Sequence, residues 1–168
     1  MTDAQAKKDM RAWLRTLRQY DPLAGIVLKR GRWFLGRANV ADYAVTAKWK
    51  KKRKPQVHDC FYNAQEFCLD HPEFSYWEGY FLILGNPAHH AWIVMDDGCV
   101  VDFTLEAVLQ EAKRQKIRAD AIRAPLYYGV TVPADYILRQ VLDTGVSDEI
   151  AELYYSHRRP RRQQTPTG

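Results

Sequence analysis

Apolar and polar positions alternate along the chain with two different periods. From Ala4 to Tyr20 the residues Ala6, Met10, Trp13, Leu14 and Leu17 recur at helical spacing among lysines and arginines, which predicts one amphipathic helix with Pro22 at or just beyond its end. Gly25–Asn39, broken by Gly31 and Gly36, suits either strand or loop, and Val40–Trp49 suits a short helix. Pro55 pushes its predecessor out of helical geometry, so the basic stretch before it reads as a connector.

Beyond Pro55 the pattern becomes regular. Cys60, Ala64, Phe67 and Cys68 share one face of a predicted helix over Cys60–Asp70, with Asp59 or His58 as its N-cap and His71-Pro72 as its stop. Phe74–Leu84 and Ala88–Met95 read as strands, Asp96-Asp97-Gly98 as a turn, and Cys99–Phe103 as a third strand. Helical spacing returns over Leu105–Arg118 through Leu105, Val108, Leu109 and Ala112; Leu126–Val132 is a further strand. Pro133 suits the first turn of a helix running to about Leu142, and Asp148–Tyr155 makes a short last one. A helix followed by an antiparallel meander with more helices is an α+β pattern. Residues 1–156 are expected to form a single domain, with 1–54 as a helical extension and basic connector and 55–156 as the core. Residues 157–168 are expected to form a basic, disordered tail.

Composition narrows the class. At 46% hydrophobic and 12% aromatic the 168 residues are too apolar for a disordered chain. No apolar run approaches the roughly 18 residues that cross a bilayer, and the start lacks a secretory pattern, so a cytoplasmic protein without membrane contact is expected. The net charge of +5 is unevenly placed. Lys48–Lys54 holds six positive charges and Arg158–Arg162 four; without those ten, the body of the chain carries about −5. The heptad has three readings: a solvated loop, a contact to nucleic acid or an acidic partner, or a flank that draws an acidic substrate to the cysteine that follows. In the second, Lys48, Lys50, Lys51, Lys52, Arg53 and Lys54 neutralise phosphates and Trp49 stacks.

Three cysteines, an odd number with no CxxC spacing, argue against a disulfide framework or a structural zinc site; Cys68 and Cys99 read as packing residues. Cys60 differs because it opens a helix, where free N–H groups and the helix dipole favour the nucleophilic thiolate. A histidine on a following strand could move the proton, and a carboxylate beyond it could fix the tautomer. The turn decides which histidine. A two-residue loop Asp97-Gly98 puts Asp102 on the face of His89. A three-residue loop with Gly98 left-handed sets Met95 opposite Cys99 and Trp92 opposite Asp102, and makes His90 the diagonal neighbour of Asp102. Asp-Asp-Gly suits the second, which selects His90 and turns His89 to the other face.

The run Cys60-Phe-Tyr-Asn-Ala64, then Glu78-Gly79-Tyr80, His90-Ala91-Trp92 and Gly98-Cys99-Val100-Val101-Asp102-Phe103-Thr104 resembles the core of the transglutaminase-like branch of the papain-like fold. The likeness spans about 45 residues, or about 80 with Tyr127-Tyr128-Gly129-Val130 as a flanking feature. It implies a nucleophile helix packed on an antiparallel sheet, with Cys60 as nucleophile, His90 as general acid/base and Asp102 as orienting carboxylate. It also implies a cofactor-free, metal-free hydrolase or acyltransferase that acts on a peptide, protein or small amide through a thioester. The surroundings of Cys60 lack the Gly/Trp character of animal transglutaminases, and nothing resembles their calcium sites, so amide hydrolysis or acyl transfer is preferred to calcium-dependent cross-linking. The backbone N–H of Cys60 is the expected oxyanion donor, with Gln56 or His58 adding a side-chain donor; Gln56, Trp92 and Tyr128 are the candidate substrate contacts. The alternative is an inert binding module on the same fold, using its basic surface.

Overall fold

In the computed structural model, which describes residues 3–36, 38–83, 86–116, 125–145 and 148–157, the amphipathic stripe at the start forms helix α1 (Asp3–Leu17) and buries Ala6, Met10 and Leu14. The next element corrects the sequence reading, because part of the segment left as strand or loop is helix α2 (Pro22–Arg30). Asp21 caps it by accepting from Leu23 N, and Pro22 occupies the first turn, where its missing N–H costs nothing. Strand β1 (Arg32–Leu35) follows. A short 3-10 turn (Val40–Asp42), closed reciprocally by Asn39 and Asp42, then leads into α3 (Ala44–Arg53).

Helix α3 brings a second correction: the basic stretch is not a connector but helix as far as Arg53, closed by Lys54 at φ 54°. Three anchors outweigh its mutual repulsion. Trp49 is buried and donates its indole N–H to Asp70 at 3.0 Å. Arg53 also donates twice to Asp70, and Lys50 pairs with Glu106 at 2.7 Å. Cations in the last turn of a helix also face the negative end of its dipole.

The remaining elements are α4 (Cys60–Asp70), β2 (Ser75–Ile83), β3 (Asn86–Val94), β4 (Val100–Val101), α5 (Phe103–Arg114), β5 (Leu126–Val132), α6 (Ala134–Thr144) and α7 (Ala151–His157). They form a mixed α+β fold around a curled five-stranded sheet of order β1-β5-β2-β3-β4 whose ladders are antiparallel. The third predicted strand, Cys99–Phe103, shortens to two residues because Asp102 turns the chain into α5. Leu84, Ile117, Arg118 and residues 158–168 of the expected tail lie outside the described residues.

One sheet face carries the main core, where Tyr76, Tyr80, Ala91, Ile93, Tyr128 and Val130 meet Met10, Leu14, Val27, Phe67 and Ile137 from the helices. Residues from the first 54 therefore share one core with the rest. On the other face, Trp77, Phe81, Trp92, Val100 and Tyr127 form a smaller aromatic cluster. Gly79 and Gly129, paired across β2 and β5, make room for it: a Cβ on Gly129 would stand 2.5 Å from the Trp92 ring. His90 pairs with Gly79 in the same row, so its face of the sheet is left open for rings from adjacent rows. Among the described residues no helix is long and apolar enough to cross a membrane.

Candidate active site

The hairpin settles the histidine. Ile93 pairs with Val101 and Val94 with Val100, Met95 N donates to Cys99 O at 3.0 Å, and Gly98 sits at φ +83°. This is the three-residue loop, and it sets Trp92 opposite Asp102. His90 Nε2 lies 2.7 Å from Asp102 Oδ2, with side-chain exposures of 6% and 1%, so the pair is shielded from water.

Asp102 is held from three sides. Besides His90, it accepts from Leu105 N at 2.8 Å as the N-cap of α5 and from the Tyr127 hydroxyl at 3.0 Å. Burial alone would raise its carboxyl, but the His90 charge and hydrogen bond, Leu105 N–H and Tyr127 hydroxyl hold it below the usual carboxylate range. His90 is the mirror image: burial pulls the imidazole down, yet Asp102, followed by hydrogen bonding and charge from Cys60, raises it above the ordinary histidine value. Phe81 stacks on its ring at 4.2 Å between centroids and 27°. With Nε2 committed to Asp102, Nδ1 is the nitrogen left for proton exchange.

Cys60 is half-buried at the first residue of α4. Asp59 occupies the cap position, but its side chain makes no capping hydrogen bond, so the expected cap is only positional. The first-turn N–H groups of a helix have no partner within it, and here Asp59 does not consume them. Asn63 ties this turn to its surroundings. It exchanges hydrogen bonds with the backbone of Gln56 at 3.0 and 2.7 Å and donates to the Thr104 hydroxyl at 2.7 Å. The helix starts that carry Cys60 and Asp102 are thereby fastened to each other.

Cys60, His89, His90, His58, Phe81, Thr104, Leu105 and Val108 line one cleft of about 310 Å³. It opens where β3 has lost its outer neighbour, since β4 pairs only with Ile93 and Val94. His58 enters from a left-handed backbone at φ 68°. Cys68 and Cys99 are elsewhere: Cys68 is fully buried in the core, where burial pushes its thiol up, and Cys99 is exposed on the hairpin.

The three expected substrate contacts are not among the residues lining the cleft. Trp92 is buried in the aromatic cluster, and Tyr128 is buried on the helix face, stacked on Trp33 at 3.9 Å. The side chain of Gln56 is exposed, and the residue meets the site only through its backbone. In the basic run Trp49 is spent on the core and cannot stack on a base. Lys48 and Lys52 line a separate depression with Asp70 and His71, at the opposite end of α4 from Cys60. Sequence reasoning missed Asn63, Tyr127 and the couple of His89 with Glu78. Only Tyr127 had a signal, its place in a Tyr-Tyr-Gly strand beside the glycine row. No family model matches the chain, and no curated protein or solved structure matches it.

Proposed function

We propose that this protein is a cysteine-dependent hydrolase or acyltransferase of transglutaminase-like, papain-like architecture, acting on an amide or related acyl bond. The observation that carries the reading is the buried His90–Asp102 couple, which shares one cleft with Cys60 at the start of a helix. In this mechanism His90 takes the thiol proton and the sulfur attacks the acyl carbon. The oxygen that becomes negative is met by first-turn N–H groups of α4, Cys60 N first among them. His90 then returns the proton to the leaving nitrogen, the C–N bond breaks, and a thioester remains on Cys60. Water or an amine attacks the thioester, His90 accepts its proton, and the thiol is released. Asp102 keeps the imidazole in one orientation and stabilises its charged form throughout. The apolar walls Phe81, Leu105 and Val108 exclude water from the thioester.

The test is competition among the three cysteines for iodoacetamide, read by peptide mass mapping. Cys60 should react well ahead of Cys99, with Cys68 silent in the folded protein, and His90→Ala should remove the advantage. Equal reaction of Cys60 and Cys99, or indifference to His90→Ala, overturns the proposal. A second reading, an inert module binding nucleic acid or an acidic partner, is favoured by the exposed Lys48, Lys51 and Lys52 on α3 and Lys54 at its end. It requires binding that falls steeply with salt and survives Cys60→Ala.

A further inference from the structure

Strand β3 carries a second histidine–carboxylate couple that the reaction above does not use. His89 points to the helix face, with Nε2 3.4 Å from Glu78 Oε1 and Nδ1 3.4 Å from Glu149 Oε2. Glu78 has no exposed surface. Its Oε2 accepts from the Tyr76 hydroxyl at 2.9 Å and from Ile150 N and Ala151 N at 3.0 and 3.1 Å, whereas Oε1 faces His89. A buried carboxylate of this kind requires a counter-charge, and the His89 imidazolium is the one beside it.

Both arms of this couple reach α4. The His89 ring packs edge-on against Phe61, the residue after Cys60, with centroids 5.0 Å apart. Tyr76, which donates to Glu78, itself accepts from Gln65 of α4 at 3.2 Å. We propose that Glu78 and His89 are positioning residues for the Cys60 thiol: their ion pair holds the first turn of α4 against β3, and discharging it lets that turn shift away from His90. His89 is not itself a second base, because each ring nitrogen already faces a carboxylate. The inference rests on the reading of Cys60 as the nucleophile.

The groups facing His89 are Glu78 and Tyr80 of β2, Glu149 ahead of α7, Asp21 at the start of α2, and Cys60 with its neighbour Phe61 on α4. Burial pulls its imidazole down; Glu78, Glu149 and Asp21 together carry it above the ordinary value of 6.5. The clamp is therefore complete below pH 6.5 and is lost as the pH rises through the raised value. His90, held by its closer carboxylate, stays charged to higher pH.

The experiment follows Cys60 alkylation by iodoacetamide against pH in the full chain, together with the NMR titration of His89, in wild type, Glu78→Gln, His89→Gln and Glu149→Gln. In wild type His89 should titrate above 6.5 and the Cys60 rate should fall as it does so. Glu78→Gln should lower the His89 titration, move the fall in rate to lower pH, and reduce the neutral-pH rate roughly tenfold while Cys99 is unaffected. His89→Gln should be slow at every pH with that fall absent. Glu149→Gln, altered only at the exposed end, should shift the fall in the same direction by less, and it serves if the buried variants do not fold. Folded variants that keep the wild-type rate and pH profile, or a His89 titration indifferent to Glu78, overturn the inference. Cys60 reacting no faster than Cys99 in wild type would instead overturn the nucleophile reading beneath it.

Discussion

The two faces of β3 hold neighbouring histidines, each against a buried carboxylate, yet the couples are built differently. His90 meets Asp102 through one nitrogen at 2.7 Å, and its second nitrogen is claimed by no carboxylate among the described residues. His89 meets Glu78 and Glu149 through both nitrogens, each at 3.4 Å. A ring held at one end beside a cleft that also holds a thiol can exchange a proton; a half-buried ring with a carboxylate 3.4 Å from each nitrogen suits holding elements together. What separates the proposed acid/base histidine from the proposed positioning one is the second ring nitrogen, not the carboxylate behind the first.

The largest expected difference between the couples is chemical. His90→Ala should slow acylation of Cys60 by roughly 10²- to 10⁴-fold, the usual worth of a positioned general acid/base, whereas His89→Ala should act only through placement and cost far less. Parallel stopped assays with an activated ester decide this, and similar losses in both variants would erase the distinction.

Stability comes next. Asp102→Ala leaves the His90 ring, Leu105 N and the Tyr127 hydroxyl without their acceptor; Glu78→Ala does the same to the Tyr76 hydroxyl, Ile150 N and Ala151 N and removes the carboxylate beside His89. Each should cost about 3–5 kcal/mol in urea unfolding, as when one partner of a buried pair is removed. A loss below about 1 kcal/mol, the scale of an exposed pair, would show that couple to be solvated.

The pH dependence of stability has a definite sign. Asp102 is depressed, so its contribution is present above the ordinary value of 3.8 and is lost as the pH falls through its folded value. His90 is raised, so its contribution is complete below 6.5 and is lost as the pH rises through its folded value. Both are therefore in force between 3.8 and 6.5, and Asp102→Asn should flatten the acid side of a melting-temperature profile.

The smallest effects sharpen the supports. Tyr127→Phe removes one hydroxyl from Asp102 and should cost about 1 kcal/mol, while Lys50→Ala removes a partly exposed pair with Glu106 and should cost about 0.2–1 kcal/mol. Thermal melts of the two variants, at low and high salt, check the order, and only the second should shrink as salt is added.

Much of the sheet region was legible because its signals are local. Helix α4 runs from Cys60 to Asp70 as its spacing predicts, and β5 matches Leu126–Val132. The choice of His90 over His89 followed from a turn type, since glycine third in Asp-Asp-Gly fixes the register and a one-residue change flips every side chain to the other face. The misses have equally plain causes. Asp21-Pro22 is a helix-start signature whose Pro22 was read as the end of the preceding helix. Pro55 marks the basic run as a connector, whereas the acids that hold it as a helix, Asp70 on α4 and Glu106 on α5, are remote in sequence. Trp92 and Tyr128 suggested cleft aromatics by type, but the Gly79–Gly129 row and Trp33 give their rings places in the interior.

By itself the sequence determined the alternation of helix and strand from α4 onward, the hairpin register, and the order of a helix-opening cysteine, a strand histidine and a carboxylate, because each of these signals depends on residues within a few positions of one another. Only the tertiary structure decided which groups Tyr127, Asn63 and Glu78 serve. Their partners lie 25, 41 and 11 residues away at Asp102, Thr104 and His89. A buried polar group is specified by whatever satisfies it, and that neighbour exists only once the sheet has curled and the helices have packed on it.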